Sequence, residues 1–266
     1  MTRYTQRAVR SNGAFSGEFR PGHLVWMPAG ATWLNQAKPR PFVLATRCGP
    51  AGFGTVVYGS TQQAEKDAGA AWIRVPPVRK GVNRNGLRAE TFFYPGTLLP
   101  IEHDDLPVHA GFLGKSLDEL RAALRTALGI GQGSCLDSRA PAGSRRGRIV
   151  ELSAALAQEI RAEHAVVLTE PRYSRQEHYH IILPFYPRIG GVAGDHKIFV
   201  PAGKWPMAIA SEAGVVLPIP ATHSVWYADD IVRETEYVLD DDTLARIDRA
   251  LCRYFSLPDA AEEHER

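Results

Sequence analysis

The residues of this chain best suited to chemistry are one arginine and two neighbouring hydroxyls. Arg40 stands between two prolines directly before the apolar run 42–44, and Ser60 and Thr61 follow the next apolar run. The prolines restrict the backbone, and a guanidinium presents planar, permanently charged donors to phosphate. Such a trio could bind a scissile phosphate and stabilise the charge that develops when a ribose 2′-oxygen attacks it. The alternative is structural, an edge strand followed by a turn.

A second set of candidates is basic. The segment 74–88 alternates cations with glycine and asparagine, so it could track a phosphate backbone, or form a solvated hairpin loop. Trp26, Trp33 and Trp72 could stack on bases or belong to the core. His23, after a Pro-Gly pair, is a candidate general acid or base. The predicted RNA-binding residues are Lys38, Arg74, Arg79, Lys80, Arg84 and Arg88.

No metal or cofactor site is predicted. His178 and His180 could lie on one face of a strand, but no third ligand stands at a recognisable spacing. The three cysteines are scattered and odd in number, which fits a reducing compartment. No apolar run approaches the roughly 18–20 residues that span a bilayer. We therefore expect a cytoplasmic protein without a membrane partner.

The sequence pattern of the strands and helices that must position these residues occurs twice, about 124 residues apart. The segment 21–25 is echoed by 146–150, and Leu-Pro-Ile occurs at 99–101 and again at 217–219. Each half begins with short β-rich runs and closes on a helical pattern, 117–130 and 241–257. An internal duplication of this kind fixes domain count and symmetry before residue chemistry is considered.

This pattern predicts an α+β chain with two barrel-like sheets, each followed by a helix. We place the first domain at residues 19–131, a linker of Gly, Ser, Arg and Pro at 132–146, and the second domain at 147–258. Charge differs between the halves. Residues 1–133 carry 16 Lys and Arg against 9 Asp and Glu, whereas residues 134–266 carry 15 against 20. This asymmetry suggests that only the first half carries a surface for a polyanion; the alternative is drift between two duplicated surfaces.

The order and spacing of these motifs resemble the MazF/PemK toxins of type II toxin–antitoxin systems. The resemblance covers both halves, apart from the arm and linker. It implies two tandem SH3-like small β-barrels, each with a C-terminal helix, and metal-independent endoribonuclease activity on single-stranded RNA. The family's catalytic arginine matches Arg40, and its hydroxyl partner matches Thr61, with Ser60 beside it. An antitoxin that blocks the groove, and a growth-inhibiting role, are also implied.

The second copy departs from the pattern. Alignment of the apolar runs places Glu163-His164 where Arg40-Pro41 stand, and Phe185-Tyr186 where Ser60-Thr61 stand. A carboxylate repels phosphate, so we expect this copy to be degenerate. Because the family forms symmetric dimers, the fusion predicts an intrachain pseudo-dimer in a monomeric chain. Two rival functions stay open: a CcdB-like protein that poisons DNA gyrase without cleavage, and an RNA-binding adaptor.

Overall fold

The protein has a mixed α+β fold in a computed structural model, as the sequence predicted. The structure describes residues 20–27, 38–46, 53–61, 72–78, 85–102, 109–137, 144–168, 179–187, 197–206, 209 and 212–258. Every strand pairing among these residues is antiparallel. Within the same residues, no helix is both long and apolar enough to cross a lipid bilayer.

The first half forms one six-stranded sheet and a helix. The sheet order is β4-β5-β3-β2-β1-β6, and the helix α1 follows β6 in the chain. The elements are β1 (His23–Met27), β2 (Arg40–Leu44), β3 (Phe53–Ser60), β4 (Ile73–Val75), β5 (Thr91–Glu102), β6 (His109–Phe112) and α1 (Ser116–Ala127).

The strands of the second half are divided between two sheets. It contains a five-stranded sheet, β13-β9-β8-β7-β14, and a three-stranded sheet, β10-β12-β11. Its elements are β7 (Arg148–Leu152), α2 (Ala154–Ile160), β8 (His164–Val167), β9 (Tyr179–Pro184), β10 (Tyr186–Pro187), β11 (Lys197–Val200), β12 (Val215–Pro218), β13 (His223–Trp226), α3 (Tyr227–Asp230), β14 (Ile231–Val238) and α4 (Asp241–Phe255), with short 3-10 helices at Ala202–Lys204 and Ile219–Ala221.

The predicted helices are present, with slightly earlier ends. Helix α1 ends before Gly129 and α4 before Ser256, and both of these residues have positive φ, at 62° and 52°. A left-handed residue at this position terminates a helix. Asp240 caps the start of α4 by accepting a 2.7 Å hydrogen bond from the backbone N–H of Thr243. Strands β6, β10, β13 and β14 and helices α2 and α3 were not anticipated.

Alternate residues of the strands pack into different hydrophobic clusters. Leu24, Val43 and Val57 face a large core that also contains Leu124 of α1 and Leu251 of α4, so one core spans both halves. The opposite face of the first sheet is a separate cluster, which includes Val25, Phe42, Leu44 and Val56. This alternation follows from the two-residue period of a strand. The second face is where the candidate site begins.

A glycine at the entrance of β1 and another at the entrance of β7 make the same hydrogen bonds. The N–H of Gly22 donates to Leu44 O at 2.8 Å, and the N–H of Gly147 donates to Val167 O at 2.8 Å. Their carbonyls accept from Leu113 and Leu239. Both glycines have positive φ, 91° and 80°. A side chain would be strained at either position, so glycine is required twice.

The predicted linker is packed in its described part. The Arg146 side chain is fully buried and donates hydrogen bonds to the carbonyl oxygens of Leu128, Gln132 and Leu168. It also forms an ion pair with Asp248 of α4. Burial lowers the pKa of Arg146, and the Asp248 carboxylate opposes that shift. Composition suggested a flexible segment, but this arginine joins the end of α1, the end of β8 and α4.

Candidate active site on the first sheet

Arg40 and Ser60 lie side by side on neighbouring strands. Phe42 of β2 pairs with Tyr58 of β3, and continuing this register by two residues brings Arg40 opposite Ser60. Arg40 Nη1 donates a 3.5 Å hydrogen bond to Ser60 Oγ. Arg40 is half-buried, whereas Ser60 is only 6% exposed. The guanidinium is therefore held at the sheet by a buried hydroxyl.

Thr61 and Lys38 lie at the edge of this pair. Thr61 follows Ser60 at the end of β3 and is exposed, as is Lys38, two residues before Arg40. Both side chains are therefore open to solvent within two residues of Ser60 or Arg40 in the chain. Of the two predicted hydroxyls, Thr61 is thus the accessible one and Ser60 is the one bonded to Arg40.

His23 lies away from this cluster. Met27, at the far end of β1, pairs with Arg40, whereas His23 pairs with Phe112 of β6. Four residues of a strand separate the two positions by about 13 Å. The imidazole packs edge-on against the Phe112 ring at 5.6 Å, and its Nδ1 accepts from the backbone N–H of Arg20 at 3.5 Å. The structure does not bring His23 together with Arg40 and Ser60.

The predicted RNA-binding cations have different surroundings. Arg74 on β4 is exposed and forms a 2.7 Å ion pair with Glu90, whose hydrogen bond and charge raise the pKa of Arg74. Arg88 is exposed and lies over the Trp26 ring, 5.9 Å from its centroid, in a cation–π arrangement. Arg79, Lys80 and Arg84 lie outside the described residues. The carboxylate of Glu90 was missed by the sequence reasoning.

Two rows of side chains cross the sheet at this end. In the first row, Ser60 pairs with Phe92, and Phe92 pairs with Arg74, so the row continues from the candidate site. The second row lies two residues further along the strands and is aromatic. In this second row Phe42 contacts Tyr58 and Tyr58 contacts Tyr94, whereas Trp72 contacts Phe92 of the first row. The first row is Arg40, Ser60, Phe92 and Arg74, and the second is Phe42, Tyr58, Tyr94 and Trp72.

Most of the aromatic row was missed by sequence reasoning, although a signal exists. Tyr58 and Ser60 are separated by two residues, as are Phe92 and Tyr94, so each pair must share a sheet face. What the sequence lacks is the register that sets β3 beside β5. That register contains an irregularity between Val57 and Tyr58.

The second half presents different residues at the matching positions. Glu151 pairs with His164, so Glu163 stands opposite Leu152, whose N–H donates to Glu163 O at 2.9 Å. Glu163 thus occupies the position of Arg40, as the sequence alignment placed it. Tyr186 pairs with Val216 as Ser60 pairs with Phe92, so Tyr186 matches Ser60. The sequence alignment, which set Phe185 against Ser60, was wrong by one residue.

Metal ligands do not gather in the described part of the chain. No group of three or more His, Cys, Asp or Glu side chains is placed there to hold an ion. His180 is buried on β9, and His178 lies outside the described residues. Cys135 and Cys252 are not joined in a disulfide. The chemistry available at the described site is that of a guanidinium, hydroxyls and an ammonium.

Comparisons with known proteins return only distant structural similarity. No protein-family model and no curated protein matches the chain. Among solved structures, it is similar to an endoribonuclease in complex with its cognate antitoxin from a mycobacterial species, at 14% identity and a TM-score of 0.33, over 42% of this chain and 97% of that one. It is also similar to MazE–MazF from Deinococcus radiodurans, at 18% identity and a TM-score of 0.30, over 43% and 98%.

The matching structures are of the toxin family that the sequence motifs resemble. At these identities and TM-scores the likeness carries no argument about what the chain does. The functional reasoning therefore depends on the residues of the site.

Proposed function

We propose that this chain is a metal-independent endoribonuclease that cleaves single-stranded RNA at the Arg40 site. The single observation that carries the proposal is the 3.5 Å hydrogen bond from Arg40 Nη1 to Ser60 Oγ. It holds the half-buried guanidinium against Ser60, and the exposed Thr61 is the next residue of the chain. A fixed cation beside a hydroxyl donor is the arrangement needed to bind a phosphate and stabilise its transition state.

In the proposed step, the RNA's own 2′-oxygen is the nucleophile. It bonds to phosphorus as the P–O5′ bond breaks, leaving a 2′,3′-cyclic phosphate on one fragment and a 5′-hydroxyl on the other. The 2′-hydroxyl proton passes to solvent, and the leaving oxygen takes a proton from solvent. Arg40 binds the non-bridging oxygens and stabilises their increased charge, while Thr61 donates to the phosphate. Ser60 positions the guanidinium.

The proposed architecture is a tandem duplication, with SH3-like barrels at 19–131 and 147–258 joined by the segment 132–146 as an intrachain pseudo-dimer. The paired glycines support it, because Gly22 and Gly147 have the same hydrogen bonds and the same sign of φ. The left-handed residues that follow α1 and α4 support it as well. In this arrangement the first barrel performs the chemistry, and Glu163 excludes phosphate from the second.

The proposed biological role is that of a growth inhibitor restrained by an antitoxin protein. The toxin motifs of the sequence support this role. A second candidate is an RNA-binding adaptor without catalysis. Its support is the burial of Ser60, which leaves Thr61 as the accessible hydroxyl of the pair.

The test is incubation of the pure protein with a long single-stranded RNA in EDTA. Discrete fragments bearing 2′,3′-cyclic ends are expected from the wild type. Arg40→Ala should abolish them, and the matched variant Glu163→Ala should retain them. Intact RNA with a salt-sensitive mobility shift would instead support the adaptor. Equal loss of cleavage in both variants contradicts the assignment of the site to the first half.

A further inference from the structure

We propose that the half-buried rings of Tyr58 and Trp72 form a base-stacking subsite that carries the RNA strand across the first sheet from Arg40 towards Arg74. The inference rests on the proposed function for the identity of its ligand. It adds a direction for the strand and names the residues that hold bases beyond the scissile phosphate.

The rings form two groups in contact. Phe42 and Tyr58 meet edge to face with centroids 5.6 Å apart, and Tyr58 stacks on Tyr94 at 6.2 Å. Trp72 stands edge-on against Phe92 at 5.1 Å. Phe92 and Tyr94 are buried, whereas Tyr58 and Trp72 are half-buried. Each half-buried ring therefore packs against a buried ring and offers part of its surface to a ligand.

The charges at the two ends suit a nucleic-acid strand rather than an apolar peptide. Arg40 and Arg74 are separated by three strand spacings, or about 14 Å. A single phosphate cannot contact both guanidinium groups, so they bind different phosphates of one strand. Aromatic rings beside a row of phosphate-binding cations are a combination by which proteins hold single-stranded nucleic acid.

The second half carries different side chains where its strands pair, and these strands are divided between two sheets. Tyr186 pairs with Val216, which pairs with Phe199, and Ala165 pairs with Pro184. No arginine stands in these pairs. Strand pairing in the second half therefore does not depend on an arginine at these positions.

In this arrangement the Glu90 carboxylate competes with an RNA phosphate for the Arg74 guanidinium. Its carboxylate pairs with Arg74 at 2.7 Å, and both side chains are partly exposed. A phosphate that binds Arg74 must displace this carboxylate. Since an exposed ion pair is weak, displacement is feasible, and removal of the Glu90 charge should strengthen binding of the strand.

The experiment measures binding of a fluorescent single-stranded DNA oligomer, which lacks the 2′-hydroxyl and cannot be cleaved by the proposed step. A strand of equal length with abasic sugars in place of the bases is the comparison. Trp72→Leu is expected to weaken binding of the base-bearing strand about tenfold, with little change for the abasic strand. Tyr237→Leu, which alters an exposed aromatic residue of β14, is the control and should change neither.

Glu90→Gln gives an independent readout at an exposed position where folding is not at risk. It should tighten binding of both strands and make the slope of log affinity against log salt steeper by about 0.7. Equal weakening of both strands by Trp72→Leu, no effect of Trp72→Leu, or an unchanged salt slope in Glu90→Gln overturns the subsite. If the wild type binds bases in this way but leaves RNA intact, the stacking subsite is supported and the proposed nuclease activity is contradicted.

Discussion

Arg40, the first residue of β2, and Glu163, which directly precedes β8, occupy matching register positions in two different sheets. Arg40 stands opposite Met27, and Glu163 stands opposite Leu152. The backbone surroundings match while the charge is inverted. Any activity that needs a cation here belongs to one half of the chain.

Geometry as well as charge should matter at Arg40. In Arg40→Lys the positive charge remains, but the planar fork that contacts Ser60 and a phosphate together is lost. We expect cleavage to slow about a hundredfold. Single-turnover cleavage of a labelled RNA measures this effect. Arg233→Lys, at an exposed ion pair with Glu151 in the second half, is the control and should cleave normally. A fully active Arg40→Lys enzyme would contradict the bidentate role.

The hydroxyls of Ser60 and Thr61 should have different functions. Thr61 is exposed and proposed to touch the phosphate, so Thr61→Val should lower the cleavage rate while Thr61→Ser largely preserves it. Ser60 acts through the guanidinium, so Ser60→Ala should lower the rate by misplacing Arg40. The roles are separated by adding free guanidinium to Arg40→Ala and to the double variant Arg40→Ala/Ser60→Ala. If cleavage recovers similarly in both variants, Ser60 acts by positioning Arg40. If cleavage recovers only in the variant that keeps Ser60, the positioning role is contradicted.

Arg146 should be the most costly single residue to truncate. Arg146→Met leaves Asp248 without its cation and removes hydrogen bonds from three carbonyl oxygens. Loss of one partner of a buried ion pair costs about 3–5 kcal/mol of the free energy of unfolding. Denaturant unfolding measures it. Arg233→Met, at an exposed pair, should cost under about 1 kcal/mol. Equal costs for the two variants would show that Arg146 does not join the elements.

The two halves should unfold together because buried polar contacts join them. Ser224 of β13 accepts from the N–H of Leu98 at 2.8 Å and donates to Gly96 O at 2.7 Å. In Ser224→Ala these buried backbone groups lose their partner, which costs about 1–3 kcal/mol. We expect one calorimetric transition, shifted to lower temperature. Two transitions, of which only one moves, would indicate halves that fold independently.

Acid should destabilise the second sheet through His223. Burial lowers the pKa of His223 below its usual value near 6.5, although a hydrogen bond to Ala221 O opposes the shift. The unfolded chain then binds the proton more readily, so this stability is complete above about pH 6.5 and declines as the pH falls below it. Melting temperatures between pH 5 and 8 measure the slope.

His223→Leu should reduce that slope, because the matching position in the first sheet is already Leu99. The reciprocal variant Leu99→His should introduce the same kind of acid sensitivity into the first sheet. If the melting temperature depends on pH in the same way in the wild type and in His223→Leu, another group is responsible for the acid sensitivity.

The sequence by itself determined the α+β class, the closing helices and the inversion from Arg40 to Glu163. These are local properties: two-residue and 3.6-residue periods, glycine and proline at turns, and short apolar runs that can be aligned. Their physical basis lies within a few residues of each position, so one chain is enough to read them.

Only the tertiary structure decided which side chains meet. The strand register placed Ser60 rather than Thr61 against Arg40, set Arg74 against Glu90, and removed His23 to the far end of β1. The tertiary structure also packs the segment of linker composition around the buried Arg146 side chain. Register and packing depend on pairings between residues far apart in the chain, and no local pattern encodes their partners.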